Sequence, residues 1–275
     1  MQINRISYYP QKFKAIHRNN IEKSARSNSG ALIHTSHFFR YNDSDEYIVN
    51  FLKKLHNNAP LNIISAGCSF GEEVYSYAMA LEDLKHKPNI VGIDISQKAI
   101  YEAEKGTYML DEYERPMLEI ECKIPNKRPA TPYTKELKKR FNQNFELINP
   151  KFHEYKKKKD TFKNCSFICG DLIDLNKYFK ENSQDAILCR MVLYHMSSDD
   201  RVKFFENAFK ILKPGGILCV DQFDCRDYHG ALIKVGFQHP YNNMPLIYQK
   251  PKQEIGMMTY LKQKILSNKF NFDNI

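Results

Sequence analysis

An apolar run, Leu61-Asn62-Ile63-Ile64-Ser65-Ala66, stops at Gly67, and a helical pattern begins five residues later. A short apolar run closed by glycine reads as a buried strand. The spacing predicts a helix over 72–84, with Val74, Tyr77, Ala78 and Leu81 on its inner face. Residues 89–93 form a second apolar run, closed by Asp94, and Ser96 can cap the next helix through Ala99, Ile100 and Ala103. Strand, helix, strand, helix at this rhythm is the pattern of βαβ units on a parallel sheet, with helices on both faces. The rhythm resumes with strands at 166–169 and 184–189 and a helix over 199–212. Lys213-Pro214-Gly215-Gly216 stops that helix ahead of a strand at 217–221. Last strands are expected near Phe237 and over 246–249.

Outside this rhythm, residues 1–33 read as a basic, irregular arm, and 44–56 as a helix capped by Ser44. Residues 34–249 make one domain, and 250–275 a tail. Within the domain, 106–160 holds five prolines, Pro116, Pro125, Pro129, Pro132 and Pro150, and reads as an insertion or small β subdomain. A helix is expected near 135–141, with short strands at 145–148 and 151–155.

Composition narrows the function classes. Hydrophobic residues make up 42% and charged residues 27%, which excludes wholesale disorder. No apolar run approaches the ~20 residues that cross a bilayer, and the start of the chain shows no secretory signal, so a cytoplasmic protein is expected. Seven scattered cysteines with no C-x-x-C pair read as reduced, packed thiols, and no metal site is expected. The net charge is +9, and the densest basic run is residues 156–159, four lysines in a row. A solvated loop is the plain reading of that run, and contact with an anionic partner the alternative.

The chemistry concentrates after the strands, where open α/β sheets bind ligands. In Ser65-Ala66-Gly67-Cys68-Ser69-Phe70-Gly71-Glu72-Glu73, the glycines remove side chains where the chain turns and a ligand approaches. There is no Gly-Lys-Ser/Thr and no G-x-G-x-x-G, so this is not a phosphate or dinucleotide loop. The acidic pair suits a cationic ligand, one carrying an ammonium and a sulfonium, although acids also favour a helix N-terminus. Asp94, 27 residues after Gly67, can accept both hydroxyls of a ribose or can cap a helix. Cys169-Gly170-Asp171-Leu172 falls where an adenine edge could be held. Cys189-Arg190-Met191-Val192-Leu193-Tyr194-His195 falls at the mouth of the site.

These segments resemble, in the right order, the CheR-type chemotaxis-receptor methyltransferases, a Rossmann-like class I fold that uses S-adenosylmethionine. His34-Thr35-Ser36-His37-Phe38-Phe39-Arg40 is similar to T-x-x-x-F-F-R, and residues 65–76 to S-A-A-C-S-T-G-E-E-P-Y-S. Val91-Gly92-Ile93-Asp94-Ile95 is similar to A-T-D-I-D. Ala103, Gly106 and Tyr108 follow A-x-x-G-x-Y. Residues 185–192 are similar to D-x-I-x-C-R-N-V, and 212–216 to L-K-P-G-G.

The resemblance implies roles. Ala66, Gly67 and Glu72 would hold the methionine end of the cofactor, and Asp94 the ribose. Asp171 and Leu172 would flank the adenine. Arg40 and Arg190 would lie near the sulfonium and an incoming carboxylate. Only residues 1–33 precede the F-F-R element, so the family's N-terminal helical domain is expected to be missing. Met191 stands where the family has Asn, and His195 where it has the Tyr facing the acceptor. The expected reaction is methyl transfer to protein glutamates, on a chemoreceptor-like or other anionic protein, by a monomer that binds no nucleic acid. Transfer to a small molecule or another side chain, with His195 as base, is the alternative. A non-catalytic S-adenosylmethionine-binding regulator is a third reading.

Overall fold

The computed structural model describes residues 36–39, 42–56, 59–110, 131–220, 225–239 and 247–252. Its strands are β1 (Asn62–Ala66), β2 (Asn89–Asp94), β3 (Thr107–Met109), β4 (Phe145–Asn149), β5 (Glu154–Lys157), β6 (Cys165–Cys169), β7 (Gln184–Cys189), β8 (Leu212–Val220) and β9 (Ile247–Gln249). Its helices are α1 (Asn42–Leu55), α2 (Glu72–Ala80), α3 (Gln97–Lys105), α4 (Pro132–Asn144), α5 (Leu175–Tyr178), α6 (Ser198–Ile211) and α7 (Cys225–Val235).

Six strands form the main sheet, in the order β6-β2-β1-β7-β8-β9. All its pairs are parallel except β8 with β9. From β1 the chain winds outward to β2 and β6, then returns to the other side of β1 for β7 and β8. The order therefore reverses between β1 and β7, and in open α/β sheets the ligand crevice lies at the carboxyl ends of such a pair.

Period-two alternation divides the strand side chains between two cores. Ile63, Ile90, Leu188 and Cys219 face a core shared with α1, α2 and α4. Ile64, Ile93, Ile187 and Leu218 face one shared with α5, α6 and α7. Burial on both faces is why these strands read as unbroken apolar runs.

Several boundaries differ from expectation. The helix expected over 72–84 ends at Ala80, and the Arg140 guanidinium, from α4, occupies the Met79 carbonyl at 2.7 Å. It is also not half-buried: Glu72 and every residue from Val74 to Ala80 are buried, because α1 and α4 cover its outer side. α1 starts at Asn42, ahead of the expected Ser44 cap. α4 extends beyond 135–141 at both ends, and its early start is fixed by a reciprocal capping box between Thr131 and Thr134. Lys213-Pro214-Gly215-Gly216 lies inside β8 as an irregularity rather than before it: the register jumps from Gln184↔Leu212 to Ala186↔Ile217. α7 was not expected, and near Phe237 there is only a single bridge, Gln238 to Gln249.

The stretch at 106–160 supplies a separate antiparallel sheet, β3-β5-β4. β3 follows α3 directly, at residues where no strand was expected, and Gly106 closes that helix in the left-handed conformation. β5 falls later than the strand expected at 151–155, since Pro150–Phe152 is a 3-10 turn. β5 therefore reaches into the lysine run. Lys157 lies over the Tyr75 ring at 5.7 Å, and Lys158 donates to the carbonyls of Asn142 and Gln143 at the end of α4. Lys156 and Lys159 alone of the four are exposed, so the run is not a solvated loop. Segments 1–33, 111–130 and 253–275 lie outside the described residues, as does Asp221 of the strand expected over 217–221.

Phe38 packs against the inserted sheet and α4. It is 1% exposed and packs edge-on against Tyr108, Phe141 and Phe145 at 4.9–5.3 Å. Phe38→Ala is expected to cost about 3–5 kcal/mol of folding stability, the usual range for a buried aromatic. Urea denaturation checks this, and a loss below about 1 kcal/mol would mean that the cluster closes over the gap.

Candidate functional site

At the end of β1 the parallel ladder continues into the loop. The amides of Gly67 and Cys68 both donate to the Ile93 carbonyl of β2, at 2.8 and 3.1 Å. The loop then coils through left-handed conformations at Gly67, Ser69 and Gly71 (φ 73, 49 and 91°). Glycine is required at 67 for a second reason: a Cβ there would collide with Cγ2 of Val192. At 71 it would press on Ala103 and Phe167. Both glycines thus let neighbouring side chains pack directly on the loop, and the Tyr108 hydroxyl donates to its Phe70 carbonyl at 2.7 Å.

Asp94 is held from both sides. Its Oδ2 accepts the Ser69 amide at 2.8 Å and its Oδ1 the Ser96 amide at 2.9 Å. The helix cap of α3 is Ser96, whose hydroxyl accepts the Ala99 amide, so Asp94 is not used for that purpose. Each carboxylate oxygen has a second lone pair, which suits hydroxyl donors such as those of a ribose.

Gly170 donates to the Asp94 carbonyl at 2.9 Å and brings the end of β6 alongside. Asp171 accepts the Ile173 amide there, and burial pushes its carboxyl above the usual range. The Leu172 side chain is buried in the second core. Ala66 and Glu72 are both buried, at the last residue of β1 and the first of α2. Cys68 is buried behind the loop, and burial together with Asp94, Glu73 and Glu72 raises its thiol well above the ordinary value. That suits packing rather than nucleophilic chemistry.

Arg190 follows β7 and is buried, with its side chain 5% exposed. Its Nη1 donates to Asp45 Oδ1 and, at 3.1 Å, to the Tyr77 hydroxyl, which in turn donates to Asp45 at 3.0 Å. Glu73 Oε2 lies 3.9 Å from the same nitrogen, and Glu73 Oε1 accepts the Ser65 hydroxyl at 2.7 Å. Burial alone would lower the guanidinium pKa, but Asp45, Tyr77 and Glu73 overcome it and hold the charge. Asp45 and Tyr77 were not foreseen as site residues. Tyr77 showed only as an apolar helix position, and a lone Asp on a helix carries no sequence signal.

The segment after Arg190 turns at Met191 with φ 59°, a conformation that favours Asn or Gly over Met. The 3-10 turn Leu193–His195 follows, with Tyr194 exposed and His195 part-buried. Desolvation lowers the His195 pKa below its ordinary 6.5, so the ring is neutral at neutral pH. Arg201 of α6 steadies the turn, donating to the Leu193 carbonyl at 3.4 Å and to the Tyr228 hydroxyl at 2.8 Å. Arg40 lies outside the described residues. The chain leading to it is fixed by Phe38 and by the Phe39 amide, which donates to Ser76 Oγ at 3.0 Å.

Known proteins resemble this chain over the same region. A family profile described as CheR methyltransferase, SAM binding domain, matches residues 34–224. A Campylobacter jejuni protein (strain 81-176) named Chemotaxis protein methyltransferase is 28% identical over 178 residues, 64% of this chain and 58% of that one. A Pseudomonas putida protein named Probable biofilm formation methyltransferase WspC is 24% identical over 192 residues, 66% of this chain and 39% of that one. The chain spans about half the length of these curated relatives. Among solved structures, magnesium protoporphyrin IX methyltransferase from Synechocystis PCC 6803 aligns with 76% of this chain and 78% of its own, at 16% identity and a TM-score of 0.42.

Met191→Asn is expected to stabilise the fold by about 0.5–1 kcal/mol, by relieving the left-handed strain. The measurement is the urea midpoint at unchanged m-value. A lower midpoint would show that Met191 packing outweighs the backbone cost.

Proposed function

The chain belongs to the CheR methyltransferase family, and from that premise we propose that it transfers a methyl group from S-adenosylmethionine to glutamate carboxylates of a protein. The observation that carries this reading is the Asp94 carboxylate, fixed by two amides at the end of β2, the strand next to β1, and bound to the β1–α2 loop through the Ser69 amide. Those residues fit the cofactor: hydroxyl acceptors at Asp94, close backbone at Gly67, and an acidic pair at the start of α2 for a cationic methionine end. When bound, S-adenosylmethionine supplies a methyl group on a positively charged sulfur.

In the transfer, a carboxylate oxygen forms a bond to the methyl carbon as the carbon–sulfur bond breaks. The products are a methyl ester and neutral S-adenosylhomocysteine. A carboxylate is already ionised at neutral pH, so the protein need only align it and exclude water. Arg40 is assigned to orient the acceptor, since a guanidinium matches a carboxylate bidentately. Glu72 is assigned to the cofactor's ammonium, with Asp171 and Leu172 at the adenine. The acceptor is a chemoreceptor-like or other anionic protein, and the enzyme works as a cytoplasmic monomer. The chemotaxis and biofilm names of the relatives support this choice. No described helix is long and apolar enough to cross a membrane.

One observation favours a second reading. His195 stands where the family has Tyr and is neutral at neutral pH, so it could take a proton from an alcohol or amine acceptor.

Asp94→Ala is expected to weaken S-adenosylhomocysteine binding by about 1–3 kcal/mol in calorimetry, because the ribose hydroxyls lose a charged acceptor. Unchanged affinity in a folded variant would remove Asp94 from the site. Single-turnover methyl transfer separates the acceptors. For a carboxylate, Arg40→Ala abolishes most turnover, His195→Phe costs little, and the rate is flat between about pH 6 and 8. For an acceptor that must lose a proton, His195→Phe costs roughly 100-fold. In that case the wild-type rate rises with pH and levels off early, since the His195 pKa lies below 6.5.

A further inference from the structure

Asp45 sits near the start of α1, five positions after Arg40, and is 5% exposed. A carboxylate at that depth is costly unless paired and hydrogen-bonded. It is both: Arg190 Nη1 reaches it from the end of β7, and the Tyr77 hydroxyl reaches it from α2. The same guanidinium nitrogen lies 3.9 Å from Glu73, which is itself tied to Ser65 of β1. One carboxylate thus gathers α1, α2 and the segment after β7 beside the end of β1. A buried ion pair adds little net stability over apolar side chains of the same volume. What it supplies is direction: the guanidinium cannot swing away without stranding Asp45.

We propose that Asp45 is a positioning residue of the cofactor pocket, which aims Arg190 at Glu73 and so fixes the acidic first turn of α2. This rests on the reading of that turn as the seat of the cofactor's methionine end. Asp45 acts through Arg190 and touches neither cofactor nor acceptor.

The test is a double-mutant cycle, Asp45→Asn, Arg190→Gln and the two combined, read by S-adenosylhomocysteine calorimetry and by thermal unfolding. Asp45→Asn is expected to weaken binding about 10-fold or more, within the range of coupled neighbours. Combined with Arg190→Gln, it should weaken binding no further than Arg190→Gln alone. Asp45→Glu should recover part of the affinity, which a purely space-filling role would not produce. Wild-type affinity in folded Asp45→Asn, or losses that multiply in the double variant, would overturn the proposal. If Asp45→Asn does not fold, Tyr77→Phe removes only the bridging hydroxyl. It should weaken binding about 2–5-fold, and unchanged affinity there would equally overturn the proposal. Failure of the wild type to bind S-adenosylhomocysteine is a separate outcome. It would overturn the cofactor reading, and this proposal with it.

Discussion

The hydrogen bonds from the β1–α2 loop to the end of β2 set the geometry on which the rest of the crevice depends. Gly67 and Cys68 share the Ile93 carbonyl, and Ser69 binds Asp94. The parallel ladder thereby runs past the last residue of β1 and holds the loop in left-handed conformations that would be strained on their own. Side chains from β6 and from the segment after β7 close the arrangement: Val192 fills the space a Cβ at Gly67 would occupy, and Phe167 fills that at Gly71. The loop is therefore specified by its neighbours as much as by its glycines.

A second constraint is the buried charge behind this loop. Burial alone would lower the Arg190 pKa, and Asp45, Tyr77 and Glu73 around it raise it instead. The strand that carries it is anchored at its other end by a different pair. Asp185 binds Lys213 through both oxygens, at 2.9 and 2.7 Å, and accepts the Asn62 amide at 2.8 Å. The segment from 185 to 192 thus does scaffold work at its start and site work at its end. Motifs of this kind mix the two, and only the position along the strand tells them apart.

The inserted sheet shows where linear reading falters. Its strand β3, Thr107–Met109, was not expected because it is only three residues long. Strands that short carry no periodicity of their own. The lysine run looked like solvated charge, yet Lys157 and Lys158 lie on Tyr75 and on the end of α4. Their long apolar stems explain this, since lysine can cover hydrophobic surface while its ammonium finds an acceptor.

The sequence by itself determined the doubly wound sheet, the loop after β1, Asp94 at the end of β2 and Ser96 as the cap of α3. Each is a local signal: an apolar run of strand length, a glycine at a forced turn, a small polar residue ahead of a helix. The family resemblance pointed to Arg190. Tertiary structure decided the rest. It placed α1 and α4 over α2, so that a helix read as half-buried has no exposed side. It gave Arg190 a partner in Asp45, 145 positions away, and handed the shared hydroxyl to Tyr77. The reason is physical: burying a charge becomes favourable only once a complementary charge reaches the same low-dielectric spot. Which acid that will be depends on how helices pack across the sheet, and no pattern along the chain encodes it.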